Sequence, residues 1–163
     1  MYKTELLKRN QFDCNWTTLL IGRQYNLISP EEVTNYAVKY LQCNPHENNK
    51  FILDLSWNIS ENEVDDLLEK VVSDRSPEVI AKEYHKWLYS ILAEVYHDTP
   101  DANVFQEIEN VFFMFHAPNI MHDFFRRLSN TYHYPSHSKK TVKELLQEFL
   151  EAERKRIKSG GEY

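Results

Sequence analysis

Apolar residues recur along this chain at three- and four-residue intervals, the period of an amphipathic helix. Trp16, Leu19, Leu20 and Leu27 form the first stripe, with Asn15 placed to cap it. Ser29-Pro30-Glu31-Glu32 opens a second helix. Serine caps, proline takes the first helical position and Glu32 is spaced to close a capping box. Val33, Tyr36, Ala37, Tyr40 and Leu41 share its inner face, and Cys43-Asn44-Pro45 ends it. Ser60-Glu61-Asn62-Glu63 reads as another capping box, ahead of Val64, Leu67, Leu68, Val71 and Val72.

Ser76-Pro77-Glu78 begins the longest stripe, Ile80, Tyr84, Trp87, Leu88, Ile91, Leu92 and Val95, which stops near Asp98-Thr99-Pro100. Residues 103–116 are apolar around much of the circumference, so this helix is expected to be the most buried. Ile120, Met121, Phe124, Phe125 and Leu128 mark a helix after Pro118, residues 130–138 read as a loop, and Val142, Leu145, Leu146, Phe149 and Leu150 mark a last helix over 139–157. Its charged end, 153–158, is expected to fray, and Ser159–Tyr163 to be a disordered tail. The segment Phe51–Trp57 fits a short helix or a short buried strand; with no pairing strand evident, it is read as helix. The pattern predicts an all-α fold of about eight helices, an irregular multi-helix bundle or array of helical hairpins, as one domain over residues 1–158.

Composition sharpens this picture. With 163 residues the chain has room for a core without staples, and 3 glycines and 6 prolines are too few for the many turns of a sandwich or barrel. Cys14 and Cys43 are no disulfide framework and suit reduced thiols in the cytoplasm. The first ten residues are polar, and no apolar run approaches the roughly 20 residues that span a bilayer. The net charge of -6 disfavours nucleic acid as a partner. Residues 29–123 carry 6 basic and 18 acidic groups, whereas residues 124–163 carry 9 basic and 5 acidic.

Two groups of residues carry candidate chemistry. Glu94 and His97 are a Glu-x-x-His step on one helix face, His116 ends the aromatic helix, and His122-Asp123 follows. Imidazole and carboxylate together suit a divalent metal, so this set reads as a metal-dependent hydrolase site. Only one Glu-x-x-His step is present, and a histidine at a helix C-terminus also simply complements the dipole. No phosphate loop, nucleophile elbow or paired-cysteine motif occurs. The second group is acidic: Glu61, Glu63, Asp65, Asp66, Glu69 and Asp74. A carboxylate-rich surface clamps the Arg and Lys side chains of a partner, though it serves equally as a solvated face. A third reading, an assembly component, rests on the aromatic surplus of 9 Phe, 10 Tyr and 3 Trp.

The run Asn15-Trp16 to Leu20-Ile21-Gly22, then Leu27-Ile28-Ser29-Pro30-Glu31-Glu32-Val33 and Tyr36-Ala37, resembles a family of small bacterial proteins known as a domain of unknown function. The resemblance covers roughly the first half of the chain and carries no catalytic residues over. Small acidic proteins of this kind resemble the immunity partners of bacterial toxins. The expectation is therefore a non-enzymatic, cofactor-free, cytoplasmic binding module that occludes a basic protein, such as a toxin, through its acidic surface. The alternative is the metal-dependent hydrolase.

Overall fold

The computed structural model describes residues 1–57 and 60–160. The fold is all-α: among the described residues there are nine α-helices and no strand. They are α1 (Glu5–Arg9), α2 (Trp16–Gln24), α3 (Pro30–Cys43), α4 (Lys50–Leu55), α5 (Glu61–Val71), α6 (Pro77–Asp98), α7 (Val104–Met114), α8 (Asn119–His133) and α9 (Val142–Ser159). Short 3-10 turns at Asp101–Asn103 and Pro135–His137 lead into α7 and follow α8.

Local chemistry sets most of the boundaries. Asn15 accepts from the backbone N–H of Thr18 at 3.0 Å, and the Thr18 hydroxyl accepts from Asn15 N–H at 3.0 Å, a reciprocal cap for α2. Thr141 and Glu144 do the same for α9, and the Glu63 carboxylate reaches back to Ser60 N–H at 3.0 Å to start α5. Asn49 caps α4, which settles 50–55 as helix. Leu27 falls outside α2 because Asn26 turns the chain at φ 53°, a left-handed conformation that asparagine tolerates.

The capping box expected at Ser29 and Glu32 forms only in half. Ser29 caps, but the Glu32 carboxylate turns away to accept from Thr4 N–H at 2.8 Å and the Thr4 hydroxyl at 2.6 Å. It thereby ties down the N-terminal segment, where Tyr2 N–H also donates to Leu27 C=O at 2.7 Å. That segment holds α1, which the pattern missed because five residues bury only Leu6 and Leu7. Nor does α9 fray: Glu153 and Ile157 are buried, the helix runs through Ser159, and Gly160 ends it at φ 63°. Of the expected tail, residues 161–163 lie outside the described residues.

The chain divides into two compact units, Met1–Tyr84 and His85–Tyr163, with the boundary inside α6. In the first, α5 packs against α2, α3 and α4, and Leu19, Leu20, Ile21, Val33, Leu55, Val64 and Leu68 are buried. In the second, α8 packs on α7 and α9 around Ile108, Phe115, Met121, Leu128 and Leu146. Burial does not peak in α7, as its apolar circumference suggests, since Phe113 is 62% exposed. It peaks in residues 17–23 of α2 and 85–93 of α6, where every position is buried. Polar groups inside these stretches find specific partners. Glu83 accepts from the Thr18 hydroxyl at 2.6 Å, and His85 pairs with Glu153.

Candidate functional site: an acidic groove beside Trp57

The six carboxylates singled out by the sequence separate into different roles once α5 is packed. Arg23, only 7% exposed, extends from α2 toward α5. Its guanidinium donates to both oxygens of Asp65, at 2.7 and 2.9 Å, to Glu61 at 2.8 Å and to Ile28 C=O at 2.9 Å. The fork geometry of arginine suits this bidentate grip. The Asp65 hydrogen bond, opposed by burial and reinforced by Glu61, pushes the guanidinium pKa up from its ordinary value. Asp65 and Glu61 thus hold α2 to α5.

Three more of the six are engaged locally. Glu63 caps α5, and the Ser60 bonds hold its carboxyl below the usual range. Glu69 pairs with Arg75. Asp74 accepts from Ser76 N–H at 2.9 Å ahead of α6, which lowers its pKa. Asp66 is exposed and its carboxylate makes no hydrogen bond or ion pair with the described residues.

Asp66 lines a groove of about 490 Å³ between α4 and α5, together with Asp54, Trp57, Glu63, Leu67 and Lys70. The Asp54 carboxylate, like that of Asp66, has no hydrogen bond or ion pair among the described residues. The Trp57 indole, 70% exposed, lines the same groove as these carboxylates. Phe51 and Leu53 add apolar surface on α4, and the Lys70 ammonium lies 5.6 Å from the Phe51 ring centre. An exposed tryptophan sharing a groove with open carboxylates combines an apolar anchor with a site for cations. Sequence reasoning missed Asp54, Trp57 and Arg23. The signal for Arg23 was a lone basic residue inside an apolar run, facing an acidic helix elsewhere in the chain.

The metal set does not assemble. Among the described residues no group of three or more His, Cys, Asp or Glu is arranged to hold a metal ion. His97, His116, His122 and Asp123 are exposed and Glu94 is half-buried. His122 Nε2 donates to Ala117 C=O at 2.9 Å, so that nitrogen carries a proton and has no lone pair for a metal. Asp123 pairs with Arg126 at 3.0 Å, one turn along α8. His97 packs edge-on against Tyr96. The His-Asp spacing serves helix ends and turns. Cys14 is half-buried and Cys43 is exposed, and neither is in a disulfide among the described residues. Among the described residues no helix is long and apolar enough to cross a membrane.

Residues 4–154 match the family model described as an uncharacterised protein conserved in bacteria, DUF2247. The chain belongs to the DUF2247 family. The match extends well past the first half that carried the resemblance, through most of α9. No curated protein and no solved structure matches the chain. In this DUF2247 member the groove beside Trp57 and the Arg23 clasp both lie inside the matched region.

Proposed function

We propose that this protein is a non-enzymatic binding module of the immunity type, which captures a basic protein partner, such as a toxin, and occludes it stoichiometrically. The observation that carries the reading is the groove between α4 and α5, which the exposed Trp57 lines together with the unengaged carboxylates of Asp54 and Asp66. Charge supports it: Met1–Tyr84 carries nine basic and fourteen acidic residues, so most of the net charge of -6 resides there. A negative field of that kind speeds encounter with a cationic partner, and a desolvated indole supplies much of the affinity at the centre of an interface. The partner element that fits is a segment with an apolar side chain flanked by Arg or Lys.

The test is co-purification with the basic proteins encoded beside it in its own genome, using the wild type and an Asp54→Lys/Asp66→Lys variant. A one-to-one complex that the variant loses supports the proposal. A complex that survives the charge reversal, or wild-type protein that binds none of them, refutes it. Asp65 is unsuitable for such a reversal, because Asp65→Lys sets an ammonium against the buried Arg23 guanidinium and disrupts the fold rather than the surface.

A further inference from the structure

A second cavity, of about 510 Å³, lies in the other unit, among the end of α8, the 135–137 turn and the start of α9. Its character is the reverse of the first. Arg127, Lys139 and Lys140 line it, with the rings of Tyr134 and His137 and the hydroxyl of Ser138. In a chain with 25 acidic residues, none of the described residues lining this cavity is acidic. Lys139 is exposed and has no hydrogen bond or ion pair among the described residues. Arg127 makes one loose ion pair, 3.6 Å, with Glu148, which also pairs with Lys140. One carboxylate outside the lining therefore pairs with two of the three cations, and Lys139 is left unanswered among the described residues. Tyr134 is 61% exposed, and its ring lies 15° from parallel with that of His137, centre to centre 6.2 Å. That spacing is too tight to admit a third ring between them, which leaves the outer faces for stacking.

From this placement we infer that the cavity binds a phosphomonoester joined to a flat ring, of the nucleoside monophosphate class. Arg127, Lys139 and Lys140 take the dianionic phosphate, and the Tyr134–His137 pair takes the ring. The volume suits a small ligand of this size. A dianion matches the local surplus of cations better than a single carboxylate does, since Glu148 already supplies one negative charge. Residues 124–163 carry nine basic groups against five acidic, so the surroundings reinforce the attraction.

The test is isothermal titration of the full chain with AMP, ribose 5-phosphate and adenosine at low salt. AMP should bind most tightly, ribose 5-phosphate less so, and adenosine not measurably. Lys139→Ala should weaken AMP about tenfold, the effect of one charge-assisted contact. Glu148→Gln should tighten it about fivefold by removing the competing carboxylate. Tyr134→Ala should erase the advantage of AMP over ribose 5-phosphate. Circular dichroism and a melting curve check that each variant is folded. Failure of both phosphates to bind at about 1 mM overturns the inference. So does an AMP affinity indifferent to Lys139→Ala and Glu148→Gln, or adenosine binding as tightly as AMP. A single-stranded oligonucleotide that binds far more tightly than AMP, with a steep salt slope, also overturns it in favour of a strand-binding surface.

Discussion

Asp65 and Asp66 show how much the fold decides at the scale of one residue. They are adjacent, chemically identical and indistinguishable by composition. Asp65 receives two guanidinium hydrogen bonds from buried Arg23, whereas Asp66 faces the groove unengaged. Asp65→Asn weakens a bidentate pair and should cost about 1–2 kcal/mol in urea unfolding, the lower range because Asp65 is partly exposed. Asp66→Asn should stay within about 0.5 kcal/mol. Equal effects would mean that Arg23 does not distinguish them. Tyr36 supplies a second prediction. Its hydroxyl donates to Cys14 C=O at 2.9 Å, and burial pushes its pKa from 10.0 up to about 12. A raised folded pKa means that this contribution is fully present below pH 10.0 and is lost as pH rises toward about 12. Alkaline unfolding should therefore steepen in that window for the wild type and less so for Tyr36→Phe. The sequence placed Tyr36 on an inner helix face but gave no sign of its hydrogen bond, which comes from a residue 22 positions away.

At the scale of elements, short-range chemistry was legible wherever it was self-contained. The Ser60, Ser29 and Asn15 caps and the prolines opening α3 and α6 all lie where their spacing predicts. The failures share one cause, a long-range partner that overrides a local pattern. Glu32 leaves its capping box for Thr4, and the charged end of α9 remains helical with Glu153 buried against His85. Backbone strain was equally invisible. The turn from α7 to α8 places His116 at φ 59° and Ala117 at φ 52°, two consecutive left-handed residues without glycine. The turn is held by Ala117 N–H donating to Phe112 C=O at 2.8 Å and by His122 on Ala117 C=O. Replacing Ala117 with glycine removes the Cβ penalty and should raise stability by about 1 kcal/mol in chemical denaturation. A destabilised Ala117→Gly would show that the turn is less strained than its dihedral angles imply. The His116 and His122 pair that looked like metal chemistry belongs to this turn.

Across the whole molecule, the charge profile read from the chain identified an acidic region but not which carboxylates remain open. Folding assigns Asp65 and Glu61 to Arg23, Glu69 to Arg75 and two others to helix starts. Asp54 and Asp66 stay open beside Trp57. This division makes the proposed capture of a basic partner separable into two measurable parts. Charge acts over a Debye length of about 10 Å at 0.1 M salt, so it governs encounter. The indole acts only after contact, so it governs dissociation. In stopped-flow measurements with the partner, Asp54→Asn/Asp66→Asn should lower the association rate several-fold at low salt. The deficit should vanish near 1 M salt, where screening falls to about 3 Å. Trp57→Ala should leave association nearly unchanged and speed dissociation about tenfold or more at every salt concentration. If Trp57→Ala instead slows association and leaves dissociation alone, the indole is not the anchor, and the docking face lies elsewhere on the acidic unit.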